Sequence, residues 1–487
     1  MKPDFQVGIV GAGFGGLIAA LRLKNSGHRS FVVFERAGEV GGTWRDNIYP
    51  GCACDVHSHL YSIASEPNPD WSELFSSQPE ILAYLKNVVS KNQLEPHIRY
   101  NTDITDMQFL EDSGLWRVSD QNGQSVNVKM LILATGPLNR PNTPTFKGLE
   151  TFAGKYFHSS AWDYGYDLAG KNVAVIGTGA SAIQIIPNIA HQVKHLYVFQ
   201  RTPAWVMPRR NRTIGRGEKS LLHHLPFAPK ITREFIYWVR EFFGLAFVGN
   251  KTLNNFMERA VLKMINKQVN DPEIRKKLIP NYQIGCKRVL IADDFYPTFN
   301  RTNVSLETNP IDQITPTGVL TQNGTQHHCD LIIFATGFVA ADIELHSKIT
   351  GLAGRSLIEE WRKNGAEAYY GATVSGYPNL AFILGPNTGL GHSSVLHIME
   401  SQMNYIMQYL KKLEQSSPNA ALNLKPTAQI THNQHLQQQF EGTVWASGCK
   451  SWYLNQNGKN TTLYPRLTAA FRKETKRFDA ENYVLSN

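Results

Sequence analysis

The sequence predicts an α/β chain in which two Rossmann-like folds are nested and interrupted by an all-helical insertion. Three observations carry that prediction: a glycine turn between a strand-like and a helix-like run near the N-terminus, a second unit of the same grammar beginning at residue 172, and a block after Arg212 in which the strand pattern stops. At 487 residues the chain exceeds what one hydrophobic core covers, so more than one domain is expected. Hydrophobic residues at 42% and charged residues at 18% give the balance of a folded globular protein.

Gln6 to Val10 reads as a strand, Gly11-Ala12-Gly13-Phe14-Gly15-Gly16 as a turn, Leu17 to Lys24 as a helix and Ser30 to Phe34 as a second strand. In such a βαβ unit Gly11 permits the tight turn, Gly13 lets backbone approach a pyrophosphate, and Gly16 allows close packing of helix on strand. The helix N-terminus then favours the diphosphate. Glu35 stands 19 residues beyond Gly16, where a carboxylate accepts hydrogen bonds from ribose hydroxyls and repels a 2′-phosphate. The first nucleotide is therefore FAD or NAD; the bland alternative is an ordinary turn followed by a surface glutamate.

The second unit runs from Asn172 to Ile176, through Gly177-Thr178-Gly179-Ala180-Ser181-Ala182, along a helix, and into His195 to Phe199. Ala182 takes the place of the third glycine, as a small residue can. This strand ends in Gln200-Arg201-Thr202 with no acid. Arg201 can pair with a 2′-phosphate and Thr202 can hydrogen-bond it, so the second nucleotide is expected to be NADPH. The runs Leu131 to Gly136 and Leu331 to Gly337 each read as a buried strand with a glycine turn, one closing each fold.

Between Arg212 and Pro280 helices are expected, for example Thr232 to Phe247 and Leu253 to Val269. The aromatic segment Phe235 to Val239 with Phe242 and Phe243 is expected to pack on the substrate cleft or on another subunit; a seat on a membrane surface is the alternative. Mixed structure resumes after Phe338, with a helix over roughly Ser393 to Leu413.

Composition excludes other classes. The formal charge of +9 comes without a run of five like charges, which argues against nucleic acid and suits an enzyme that attracts polyanionic cofactors. The five cysteines, Cys52, Cys54, Cys286, Cys329 and Cys449, are odd in number. That count argues against a disulfide framework and for a reducing cytoplasm. The strand-like run begins so early that no signal peptide is expected, and no stretch approaches the length of a membrane span. No metal site is expected.

Gly41-Gly42-Thr43-Trp44-Arg45-Asp46-Asn47-Ile48-Tyr49-Pro50-Gly51-Cys52-Ala53-Cys54-Asp55 should lie along the isoalloxazine end of the first nucleotide. Trp44 and Tyr49 can wall a flavin, and Asp55 reads equally as a loop cap or a catalytic carboxylate. The pattern G-G-x-W-x-x-x-x-Y-P-G-x-x-x-D in this segment, and the run from Phe152 through Gly154, His158 and Trp162 to Asp163, resemble fingerprints of the type I Baeyer-Villiger monooxygenases. Flavin-containing monooxygenases of nitrogen and sulfur carry Tyr or Phe where Trp162 stands. Asp163 is the rarer ending, and Gly458 to Pro465 resembles a shorter, atypical tail.

The resemblance implies FAD and NADPH as cofactors, a ketone and molecular oxygen as substrates, and an ester or lactone as product through a C4a-peroxyflavin. It puts the catalytic arginine on Arg288, held by Asp55, and the NADPH phosphate near Lys287. His158 would couple NADPH binding to closure. Arg36, Thr43, Trp44 and Tyr61 join the expected FAD contacts. Residues 1–143 and 339–487 would then bind FAD, 144–211 and 284–338 NADPH, and 212–283 would be the insertion. A sulfide or amine monooxygenase shares the nucleotide motifs. A disulfide reductase needs Cys-x-x-Cys, which Cys52-Ala-Cys54 is not, and a flavin-binding sensor would show no substrate-stimulated NADPH oxidation.

Overall fold

A computed structural model of the chain describes residues 1–339 and 346–486. The first βαβ unit is β1 (Phe5–Val10), α1 (Phe14–Asn25) and β2 (Phe31–Phe34). After α2 (Thr43–Asp46) and α3 (Gln78–Lys91) come β3 (Ile98–Arg99), β4 (Ile104–Leu110), β5 (Leu115–Asp120) and β6 (Ser125–Leu133). β1 sits between β2 and β6 in parallel pairs, Val10 facing Phe34 on one side and Leu133 on the other. β4, β5 and β6 are antiparallel neighbours, so this fold carries a meander that the periodicity of the two glycine units did not announce.

The second fold starts at β7 (Lys155–His158) and β8 (Asn172–Ile176), continues through α4 (Ala182–Ile189) to β9 (His195–Phe199), and adds the short β10 (Val206–Met207). Four helices follow: α5 (Arg216–His224), α6 (Ala228–Gly244), α7 (Lys251–Gln268) and α8 (Pro272–Leu278). The chain re-enters through β11 (Leu290–Ile291), α9 (Phe295–Thr298) and β12 (Val304–Glu307), crosses the antiparallel ribbon β13 (Ile311–Thr315), β14 (Gly318–Thr321) and β15 (Gln326–His328), and lays down β16 (Leu331–Phe334). β12, β9, β8, β16 and β7 make one sheet in that order, its pairs all parallel.

The remainder returns to the first fold. β17 (Lys348–Thr350) pairs with β4, α10 (Leu357–Asn364) follows, and β18 (Leu380–Phe382) pairs with β6. α11 (Val395–Glu414) packs on α1. β19 (Ala421–Leu424), α12 (Pro426–Gln438), α13 (Thr468–Glu474) and β20 (Tyr483–Ser486) complete the chain. The central strands of both sheets are buried and, apart from Lys129, apolar, β6 from Val128 and β16 throughout, because parallel strands are covered by helices on both faces.

Both glycine turns are built by the same contact. Gly11 and Gly177 have φ of +102° and +115°, and a Cβ on either would stand 2.6 Å from Ala134 O or 2.5 Å from Ala335 O. The Ala-Thr-Gly runs thus close each fold by pressing a carbonyl against the first glycine of its turn.

Two expectations are corrected. Cys286 and Cys449 form a disulfide across 163 residues, while Cys52, Cys54 and Cys329 are free and buried; an odd total rules out complete pairing and leaves a single bridge open. The aromatic face of α6 does not pack on the cleft: Phe235, Trp238 and Phe242 are 69%, 58% and 57% exposed.

Candidate functional site

One cleft of about 1090 Å³ takes in both glycine turns and the segments that follow them. Gly11, Gly13, Glu35, Arg36, Thr43, Trp44, Asp55 and Tyr61 line it from the first fold; Gly177, Gly179, Arg201, Thr202, Lys287 and Arg288 line it from the second. Gly16 and Ala182 lie behind the turns. A Cβ on Gly16 would come within 1.8 Å of Gly11 O, and Ala182 is fully buried.

Glu35 is 4% exposed. Its Oε2 accepts from Ala12 N at 2.8 Å, and its Oε1 accepts from Ala37 N at 3.0 Å and Arg45 Nη1 at 2.9 Å. Oε1 is thereby filled, and Oε2 keeps a lone pair for a further donor such as a ribose hydroxyl. Trp44 donates from Nε1 to Tyr61 Oη at 3.1 Å, which fixes two aromatic rings edge to face. Arg36 approaches Asp46 at 3.8 Å.

On the other side, burial and the nearby Arg201 guanidinium lower the Lys287 ammonium below its ordinary range. Two cations that repel each other in this way make a cradle for a multiply charged anion. Thr202 contributes its carbonyl, which accepts from Thr178 Oγ1 at 3.1 Å.

Arg288 and Asp55, 233 residues apart, are joined side-on: Nη2 and Nε donate to Asp55 Oδ2 at 2.5 and 3.1 Å. Burial would push the Asp55 carboxyl up, but the Arg288 guanidinium, helped by Arg240, overrides it and holds the carboxyl below its usual value. Arg288 is raised in turn by Asp55. Both groups are charged, with side chains 36% and 27% exposed to the cleft. The arrangement is a fixed cation at a cleft wall, able to stabilise negative charge that develops on a bound reactant.

The fingerprint from Phe152 to Asp163 does not line the cleft. Phe152 and Trp162 are buried, and a Cβ on Gly154 would stand 2.5 Å from Asp330 O. Asp163 pairs with Lys155 and accepts from Gly165 N at 2.8 Å. His158 ends β7: its Nδ1 accepts from Ser160 N, so Nε2–H donates to Gly337 O at 3.0 Å, and burial lowers its pKa. A neutral imidazole therefore ties the edge strand of the second sheet to the turn after β16.

Several contacts in and behind the cleft escaped the sequence reading. Arg45, inside a quoted motif, neutralises Glu35. Arg240 reaches the Asp55 neighbourhood from α6, and Tyr453 lies beside Arg288 from the C-terminal part. Tyr49 donates to Gln184 Oε1 at 3.1 Å and Gln184 donates to Ala53 O at 2.9 Å, bridging the two folds. Burial pushes the Cys52 thiol up to about 11 and Cys54 still higher, so neither is a thiolate nucleophile at neutral pH.

Residues 4–349 match the family described as flavin-binding monooxygenase-like. A Streptomyces coelicolor protein named Baeyer-Villiger monooxygenase is 44% identical over 479 residues, covering 98% of this chain and 92% of its own. A Pseudomonas aeruginosa protein of the same name is 42% identical over 483 residues, covering 99% and 91%. The solved structure of OTEMO in complex with FAD and NADP superposes with a TM-score of 0.90 at 29% identity over 100% of both chains. Closed cyclohexanone monooxygenase gives 0.87 at 27% identity, again over 100% of both. No helix among the described residues is long and apolar enough to cross a membrane. With both glycine turns, the Trp162 fingerprint and these relatives in agreement, the chain belongs to the flavin-binding monooxygenase-like family, in its Baeyer-Villiger branch.

Proposed function

We propose that the chain is an FAD- and NADPH-dependent Baeyer-Villiger monooxygenase that converts a ketone to an ester or lactone with molecular oxygen. The observation that carries this reading is the single cleft that takes in both nucleotide turns together with the Arg288–Asp55 pair. FAD and NADPH, when bound, supply the electrons and the oxygen activation. The chain's residues do the rest. Gly11, Gly13 and Glu35 hold the first nucleotide, with Trp44 and Tyr61 as aromatic walls. Arg201, Thr202 and Lys287 hold the second through its 2′-phosphate.

Arg288 presents its guanidinium to the oxygen that becomes negative during transfer, and Asp55 positions it. His158, neutral and bonded to Gly337, ties the second sheet to the connection between folds, where relative movement would accompany nucleotide binding. We assign residues 1–143 and 339–487 to the FAD fold and 144–211 and 284–338 to the NADPH fold. A cytoplasmic seat suits a chain that draws on NADPH.

The test is a screen of linear, cyclic and aryl ketones for stimulated NADPH consumption, with the ester quantified as product. Oxidation of a sulfide with no ketone turnover would replace the reading by that of a sulfur monooxygenase. NADPH oxidation that no substrate accelerates would make the protein a flavin-binding sensor.

A further inference from the structure

Helix α6 is built inside out. Toward the protein it buries Tyr237 together with two charged residues, Arg233 and Glu241. Arg233 donates to Leu60 O, Ser62 O and Glu400 at 2.9, 2.5 and 3.0 Å. Glu241 accepts from His392 Nε2 at 3.1 Å and Ala469 N at 3.0 Å. Toward solvent it presents Phe227, which immediately precedes it, and then Ile231, Phe235, Trp238 and Phe242. Spacings of four, four, three and four residues place all five on one stripe of the helix. Leu221 and Leu225 of the adjoining α5 are exposed as well. A run of large apolar groups of this kind marks a surface that is covered in use.

Charge identifies the covering. Residues 212–283 hold thirteen of the chain's lysines and arginines against six acids, so most of the formal excess of +9 resides in this one insertion. Arg216 on α5 and Lys230 on α6 are exposed. The crevice beside Lys230 also holds Lys473 and Lys476, and its two acids, Glu234 and Glu400, are paired with Arg472 and Arg233. A second copy of the chain would bring the same positive surface to the contact and be repelled. An anionic bilayer is attracted, and aromatic side chains are suited to its interface. The paired charges of the inward side keep the helix on the surface rather than across it.

We propose that α5 and α6 are a membrane-docking element, with α6 lying in the interface of an anionic phospholipid bilayer and its Phe227-to-Phe242 stripe among the acyl chains. The reading is independent of which substrate the cleft accepts. The same helix carries Arg240, whose charge acts on Asp55, so the docked stripe and a cation that supports the cleft pair sit on one element.

The FAD-loaded full-length protein is sedimented with vesicles of phosphatidylcholine containing about 30% phosphatidylglycerol, with pure phosphatidylcholine vesicles, and with the anionic vesicles in about 0.5 M salt. Binding is expected to the anionic vesicles at low salt and to be weaker by about tenfold in each of the other two conditions. The F235S/W238S/F242S variant should keep its flavin absorbance and its NADPH oxidation with a water-soluble ketone, and should lose the vesicles. Brominated phosphatidylcholine should quench wild-type fluorescence more than that of W238F, which retains the rest of the stripe and decides the matter if the triple variant fails to fold. Wild type left in the supernatant, undiminished binding by a folded triple variant, or equal quenching of W238F would overturn the proposal. So would light scattering that finds a wild-type dimer split into monomers by the triple substitution.

Discussion

Arg288 and Asp55 are ordinary residues until they are placed together, and the cost of separating them should appear in product rather than in cofactor. Loss of one charged donor to a developing oxyanion typically costs about 10²- to 10³-fold in rate. Arg288→Ala is therefore expected to bind FAD and consume NADPH while releasing hydrogen peroxide in place of ester. Arg288→Lys should rescue poorly, since an ammonium lacks the planar fork that grips Asp55 side-on. Asp55→Ala should resemble Arg288→Ala. Ester and peroxide counted per NADPH decide the point, and a near-normal ester yield in Arg288→Ala would remove the guanidinium from the chemistry.

The pair also makes a statement about pH. The Asp55 carboxyl is held below its ordinary value of 3.8, so its charge and the stability the ion pair gives are present above that value and lost only as pH falls through the lowered one. Arg288, raised further, stays cationic. Any limb in the profile of kcat/KM between about pH 5 and 9 should therefore persist unchanged in Asp55→Asn. For the second nucleotide, Arg201→Ala should raise the KM for NADPH about tenfold or more while sparing NADH, as expected when about 1.5 to 3 kcal/mol of charge-assisted bonding is lost. Equal use of both nucleotides by the unmutated protein would end that assignment.

At this scale the sequence was legible where function is local. Glycine spacing, Glu35 and Arg201 each sit at a fixed offset from a turn and could be picked out singly, and the structure brings them to one cleft. Arg240 and Tyr453 could not, because what puts them near Asp55 and Arg288 is tertiary: one comes from a helix of the insertion, the other from the far C-terminal part.

Among the elements, the strands were the most legible. Asn172–Ile176 and His195–Phe199 have the very bounds the sequence suggests, because a largely apolar interior behind one polar leading residue marks a strand covered on both faces. Helix α6 was legible as a helix, and of the coverings its aromatic face suggested only the cleft is excluded. A stripe of aromatics specifies a face but not what that face meets, and its outward turn follows from Arg233 and Glu241 finding partners inside. Glu241 also accepts from the first backbone N–H groups of α13, Thr468 N at 3.3 Å and Ala469 N at 3.0 Å. Burial would raise its carboxyl, but His392 and these donors hold it below the ordinary 4.5.

The stability that Glu241 contributes is thus complete above that value and fades as pH falls through the lowered one. Glu241→Ala should cost about 1.5 to 3 kcal/mol through the lost charged hydrogen bonds. Thermal denaturation at pH 7 should report that loss, and at a pH below the lowered value the difference between the variant and wild type should narrow to what the lost packing alone costs. Gly16→Ala tests the turn: with no space for a Cβ against Gly11 O, the helix must shift. The purified variant should be depleted of flavin, and a fully flavin-loaded Gly16→Ala would show that the turn tolerates the displacement.

At the scale of the whole molecule the chain leaves its first sheet unfinished, builds a second, and comes back. The outer pairing of Leu131–Leu133 is with Leu380–Phe382, and β4 waits for Lys348–Thr350. The two βαβ units disclose the nesting, since each has its own turn and closing run, but a three-residue strand such as β18 carries too little pattern to be assigned to either fold from sequence. A chain ending at Phe338 would keep both glycine turns and lose β17 and β18. It is expected to be recovered in the insoluble fraction without flavin, and a soluble yellow fragment would show that the first fold closes without its last strands.

That return has a consequence for how the protein is made. During synthesis the end of β6 emerges early, while its outer partner is still some 250 residues from being translated, an interval on the order of tens of seconds at ribosomal speed. Throughout that interval the nascent chain displays an open, apolar strand edge that only its own last third can cover. Yield in a foreign host should accordingly depend on what shields the ribosome-bound chain, rising with slower translation at low temperature only if holding chaperones keep pace with the exposed edge.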